Sequence, residues 1–152
     1  MALRAVARAR RNLGSFEAGR EEMRQFLGEI GVDAGAVNLL DGSGLSRLDL
    51  LTPSAVVKLL QHMYRSPLRA SWISLLPIGG RDGTLATRFT DGPGMGRIHA
   101  KTGSLSHVSA LSGYAERPGG HWTAFSILVN NYNGPAADIR GVMDRICALI
   151  ME

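Results

Sequence analysis

Arg97-Ile98-His99-Ala100-Lys101-Thr102-Gly103-Ser104 is the stretch on which the reading of this chain turns. Alternation puts Ile98, Ala100 and Thr102 on one face of a strand and His99 and Lys101 on the other. The strand ends in a cation, a small hydroxyl residue and a glycine. Such an edge suits recognition of a carboxylate beside a reacting carbonyl. The ammonium neutralises negative charge, the hydroxyl donates a hydrogen bond, and a residue without a side chain lets a ligand backbone lie close. The Ser104 N–H would then point where an oxyanion could form. Lys-Thr-Gly alone also fits a plain strand followed by a glycine turn, so the flanking sequence has to carry the argument.

Downstream, a second strand is expected over 107–115, a turn through Arg117-Pro118-Gly119-Gly120, and a third strand over 122–130. The third run is nearly all apolar, as when both faces are covered. Short connections make the three an antiparallel meander. Gly134-Pro135 opens a last helix, with Ile139, Val142, Met143, Ile146, Leu149 and Ile150 as its apolar stripe. Cys147, between Ile146 and Ala148, reads as a buried structural thiol.

Upstream, periodicity predicts helices. Residues 2–13 form the first, ended by Gly14. Ser15 then caps a second, with Glu17 in its first turn and Met23, Phe26, Leu27 and Ile30 as a half-buried stripe; Gly31 stands just past its end. Val37 to Leu40 reads as a short edge strand leading into Asp41-Gly42-Ser43-Gly44. Thr52-Pro53 starts a helix with a threonine cap and proline in the first turn, burying Val56, Leu59, Leu60 and Met63. His62 beside that stripe is expected to be packed, and Ser66-Pro67 ends the helix. A short helix covers 70–75. From Pro77 to Gly96 the chain is glycine-rich and aperiodic, which suits a functional rim. The fold class is α+β, with helices beside an antiparallel sheet.

A chain of 152 residues is one domain's worth and can bury about 70% of its unfolded surface. No apolar run approaches the roughly 20 residues of a membrane span. The net charge is +4, and only Lys58 and Lys101 of the 17 basic residues are lysine. The excess gathers in Arg4, Arg8, Arg10 and Arg11 without interleaved aromatics, which reads as a solvated helix face and not as a nucleic-acid surface. The same arginines leave no apolar signal-peptide region at the N-terminus. The histidines at 62, 99, 107 and 121 show no zinc spacing, and no phosphate-binding Gly-x-x-x-x-Gly-Lys motif occurs. No cofactor or metal is expected.

Three further motifs flank the opening stretch. They are Asp41-Gly42-Ser43-Gly44-Leu45-Ser46-Arg47, Leu76-Pro77-Ile78-Gly79-Gly80-Arg81-Asp82-Gly83-Thr84-Leu85, and Ser109-Ala110-Leu111-Ser112-Gly113-Tyr114. In this order and at this spacing the four resemble the C-terminal part of the S13 family of serine peptidases. These are low-molecular-mass penicillin-binding proteins with D-alanyl-D-alanine carboxypeptidase activity. The resemblance runs from roughly Ser15 to Asn131 and implies part of a β-lactamase/transpeptidase-like domain. In that family a serine attacks the peptide bond between two D-alanines, an acyl-enzyme forms and D-alanine leaves. The resemblance implies that Lys101 organises the proton network and the anionic field. It implies that Thr102 binds the terminal carboxylate, that Gly103 gives clearance, and that the Ser104 N–H is one oxyanion donor. Asp41 and Ser43 would lie near the substrate. Position 49, an asparagine in the family, is Asp49 here.

Two family motifs are missing. Ala55 stands three before Lys58 and Ile98 three before Lys101, so there is no Ser-x-x-Lys; no Ser-x-Asn occurs either. Neither Ser43 nor Ser46 has a lysine three residues on. Residues 1–152 are therefore expected to be the C-terminal portion of the domain, inactive alone, and a truncated start would also explain the missing signal peptide. Expected partners are peptidoglycan peptides ending in D-Ala-D-Ala, and β-lactams where the site is complete. The expected location is periplasmic or extracellular. Two other readings stay open. One is a non-catalytic module that binds peptidoglycan peptides; the other is a truncated product whose uncovered sheet would aggregate.

Overall fold

The computed structural model describes all residues, Met1 to Glu152. The chain divides into two compact units, Met1–Leu59 and Leu60–Glu152.

In the first unit, α1 (Ala2–Arg11) and α2 (Phe16–Glu29) pack closely through small residues. A β-carbon on Gly19 would stand 2.4 Å from the Leu3 carbonyl oxygen, so only glycine fits there. α1 ends earlier than Gly14 suggested: Asn12 takes the left-handed conformation (φ 55°) and its N–H returns to the last turn. The Ser15 hydroxyl accepts from the Ala18 N–H at 3.1 Å, the expected cap. The basic run stays exposed, as expected of a solvated helix face, while three of its arginines find partners. Arg10 pairs with the buried Glu22 at 2.5 Å, Arg11 pairs with its other oxygen, and Arg4 donates to the Gly14 carbonyl. Arg11 above all holds the Glu22 carboxyl below its ordinary range.

The edge strand is shorter than expected. β1 (Val37–Asn38) pairs with β2 (Leu50–Leu51), which has no alternating signal. The loop between them is closed by Asp49, whose carboxylate accepts from the Leu40 N–H at 2.7 Å. α3 (Pro53–Arg65) starts at the expected Thr52 cap, the hydroxyl accepting from Ala55 N–H at 3.2 Å, and runs on into the second unit. His62, expected beside the buried stripe, is exposed on it.

The second unit holds α4 (Arg69–Ser74), then an antiparallel sheet in the order β3 (Ile98–Leu105), β4 (Val108–Arg117), β5 (His121–Asn130), closed by α5 (Ala136–Met151). The meander is as expected. Its core lies between one sheet face and α5, with Ile98, Ala100, Leu111, Ala115 and Phe125 facing Met143, Cys147 and Met151. The α5 stripe is rotated from its expected position. Residues 143, 147 and 151 repeat every four and face the sheet, whereas Val142, Ile146 and Leu149 are exposed, Leu149 to 66%. β5 is half-buried along most of its length, with Phe125 its one buried residue, so its apolar run does not reflect two covered faces.

Candidate active-site edge

The face of β3 bearing Ile98 and Ala100 anchors it in the core, both residues being fully buried. Toward the strand's end burial falls away, and Lys101, Gly103 and Ser104 are exposed with Thr102 half-buried. The anchored half fixes the position of the free half.

The outer edge of β3, away from β4, is paired over only part of its length. Ile78 bridges His99, the Gly79 N–H donates to the Ile98 carbonyl at 2.8 Å, and the Ala100 N–H donates to the Pro77 carbonyl at 3.0 Å. The glycine-rich segment thus lends β3 a short covering strand, which ends there. In an antiparallel ladder alternate residues direct their backbone polar groups to opposite sides. Residues 98 and 100 face the outer edge, so the N–H and C=O groups of Thr102 and Ser104 face it too, past the end of the cover. Lys101 Nζ reaches over and donates to the Thr102 carbonyl at 2.6 Å. The Thr102 hydroxyl donates to the Thr84 hydroxyl at 2.9 Å.

His99 shares the Lys101 face. Its ring lies 5.1 Å from the Trp122 ring, beside a cluster of Tyr64, Tyr114 and Trp122. Burial, more than any neighbouring charge, lowers the His99 pKa; Arg81 acts the same way, while Glu116 and Asp82 oppose it. Its Nδ1 is buried without a hydrogen-bond partner. Both features favour the neutral imidazole next to Lys101. Tyr114 fastens the cluster: its hydroxyl donates to the Leu60 carbonyl at 2.6 Å and accepts from Trp72 Nε1 at 3.1 Å. None of these aromatic contacts was legible in the sequence.

Asp41 and Ser43 belong to the first unit, whereas Lys101, Thr102, Gly103 and Ser104 belong to the second. The Asp41 carboxylate accepts from both the N–H and the hydroxyl of Ser43 at 2.8 Å, and these bonds, the backbone one first, hold its pKa below the ordinary carboxylate range. The Ser43 hydroxyl also accepts from the Leu45 N–H at 3.1 Å. This is turn chemistry of the kind an Asp-Gly sequence supports. The loop borders a cavity of about 760 Å³ lined by Leu3, Val6, Phe16, Met23 and Phe26. No three histidine, cysteine, aspartate or glutamate side chains converge to hold a metal ion.

The profile of the D-Ala-D-Ala carboxypeptidase 3 (S13) family matches residues 1–150. The chain belongs to this family. A D-alanyl-D-alanine carboxypeptidase of an Actinomadura species is 38% identical over 157 aligned residues, covering 100% of this chain and 29% of that protein. A penicillin-sensitive carboxypeptidase A of Dictyostelium discoideum is 32% identical, over 91% of this chain and 27% of that one. Penicillin-binding protein 4 of Haemophilus influenzae superposes with a TM-score of 0.83 at 28% identity, covering 97% of this chain and 34% of that structure. The same protein has been solved in complex with a β-lactam, with a TM-score of 0.81. The S13 chain described here thus spans about a third of the length of the relatives it matches. Its α+β architecture is that of the penicillin-binding protein 4 structures.

Proposed function

We propose that this S13 chain supplies the substrate-edge half of a serine-type D-Ala-D-Ala carboxypeptidase site, as the C-terminal portion of a transpeptidase-like domain. The observation that carries the reading is the open edge of β3 at Lys101-Thr102-Gly103-Ser104, beyond the point where Pro77 and Gly79 cover it. A peptide laid along this edge meets the outward N–H and C=O of Thr102, the Thr102 hydroxyl and the Lys101 ammonium. Those groups suit a chain end whose last carboxylate needs a cation and a hydroxyl donor. The Ser104 N–H faces the same side and supplies one donor to an oxyanion; loss of one such donor costs on the order of 100- to 1,000-fold in rate. The nucleophile and its lysine are not among these 152 residues, which hold no Ser-x-x-Lys and no Ser-x-Asn. The covalent steps of the family reaction, attack by serine and release of D-alanine from the acyl-enzyme, need groups that this chain does not contain. Asp41 and Ser43 join the reading as substrate-proximal residues on family resemblance.

The missing nucleophile favours a second reading for the chain acting alone, a module that holds peptidoglycan stem peptides without cleaving them. Peptidoglycan as target fits a periplasmic or extracellular location, and β-lactams would acylate only a complete site.

Titration of the purified chain with N-acetyl-D-Ala-D-Ala tests the edge, alongside a fluorescent penicillin read by denaturing gel. Saturable binding that Lys101→Ala removes, with no covalent adduct, is the expected result. Absence of binding at millimolar peptide would end the proposal for this chain. A covalent adduct would show that a nucleophile exists here after all, with Ser43, Ser46 and Ser104 the first to replace.

A further inference from the structure

We infer that Thr84 is a positioning residue for the Thr102 hydroxyl. The inference rests on the reading of β3 as a carboxylate-recognition edge. Thr84 comes from the glycine-rich segment eighteen residues upstream, and the Thr102 hydroxyl donates to its oxygen at 2.9 Å. A threonine on a strand end has more than one χ1 rotamer open to it, and a hydroxyl proton turns freely unless something takes it. Here an oxygen on a different segment takes it.

The segment that presents Thr84 is held from several sides. Leu85, the next residue, is fully buried in the core between sheet and α5. The Asp82 carboxylate accepts from the Ile78 N–H at 2.7 Å, which ties the turn to the strand that covers β3. The Gly80 N–H is shared between the carbonyls of Leu85 and Arg88 at 3.0 and 2.7 Å. Gly83 adopts φ +50° against the Pro77 ring, which a β-carbon would meet at 3.0 Å. Thr84 therefore stands on a braced turn, while its own side chain is exposed and free of any packing duty.

The consequence is an ordered pair of hydroxyls. Thr84 holds the Thr102 hydroxyl in place until a carboxylate arrives; the Thr102 proton then turns from Thr84 to the carboxylate, and the Thr84 hydroxyl donates to the Thr102 oxygen in its stead. A carboxylate arriving at the edge meets one donor already aimed, next to the Lys101 ammonium. Fixing the rotamer beforehand removes part of the ordering cost of binding.

Two measurements on the full chain test this, with Thr84→Val (same shape, no hydroxyl) and Thr84→Ser (hydroxyl kept). The first reads the Thr102 χ1 rotamer from three-bond couplings in solution, without ligand. A single rotamer is expected in the parent chain and in Thr84→Ser, and rotamer averaging in Thr84→Val. A single rotamer retained in Thr84→Val would overturn the inference. The second is titration with N-acetyl-D-Ala-D-Ala. Thr84→Val should weaken binding roughly 3- to 10-fold, the range of one hydrogen bond, and Thr84→Ser should restore it. Equal affinity in the parent and Thr84→Val would also overturn the inference. If the parent chain itself does not bind, the edge reading fails, and the coupling measurement still decides whether Thr84 holds Thr102. A thermal melt of each variant confirms that the exposed substitution leaves the fold intact.

Discussion

Ala100 faces Gly113 across the β3–β4 ladder, and a β-carbon on Gly113 would stand 2.1 Å from the His99 carbonyl oxygen and 2.6 Å from the Ala100 α-carbon. The two strands approach so closely that position 113 has no room for any side chain. This approach lies one residue before Lys101, so it helps fix the strand that carries the open edge. Gly113→Ala should push β3 away from β4 and destabilise the second unit by about 1–3 kcal/mol or more, the usual cost of overpacking. Thermal or urea unfolding measures it, and a variant melting like the parent would show that the ladder can widen at no cost.

Gly103 on the neighbouring strand should behave in the opposite way. A β-carbon there would meet a single side-chain atom, the Ala110 β-carbon, at 3.1 Å. The side chains need to give by only a few tenths of an ångström, and Gly103 is exposed. Gly103→Ala should therefore melt within a few degrees of the parent, while peptide binding at the edge is lost because the clearance is filled. Retained binding in a folded Gly103→Ala chain would remove the clearance role. The contrast with Gly113 separates a glycine the fold requires from one the ligand requires.

Leu85 joins the core to the turn that carries Thr84. It is fully buried against Ile98 and the α5 side of the sheet. Leu85→Ala should cost about 2–5 kcal/mol, the range for a leucine truncated in a packed core. Amide exchange should rise over residues 78–88 more than over β4 and β5. Uniform acceleration across the unit would mean that Leu85 supports the whole core and not this turn in particular.

The sheet and the exposed end of β3 were legible because both are local in the chain. Alternation in 98–104 and short connections on either side suffice to give a meander, and Lys101-Thr102-Gly103-Ser104 names its own edge. Segment 77–96 looked structureless for a physical reason. Its order comes from glycines at positive φ, among them Gly80, Gly83, Gly92 and Gly96, and from backbone bonds to β3, neither of which leaves a periodic trace. The Thr84–Thr102 and His99–Trp122 contacts depend on strand register and so could not be read from spacing. In α5 the apolar residues outnumber those the sheet can cover. Cys147 was read as buried, and it is, but pattern alone could not choose Met151 over Ile146 and Leu149.

Cys147 yields a prediction about pH. Burial, with a smaller push from Asp144 and an opposing pull from Arg88, raises its thiol from the ordinary 9.0 to about 12. The native chain keeps the proton that the unfolded chain gives up near pH 9. Below that pH both states are protonated, and the thiol's contribution to stability is fully present. As pH rises from about 9 toward 12 the unfolded state gains by ionising while the native state does not, so stability falls. The urea midpoint of the parent should therefore drop more steeply between pH 9 and 11 than that of Cys147→Ala, although the variant starts lower because it leaves a cavity. At pH 8 the native thiol should react with a disulfide reagent only as fast as the unit opens, since the attacking species is the thiolate. Parallel slopes for parent and variant, together with rapid labelling of the native chain, would show that Cys147 is neither sealed nor shifted.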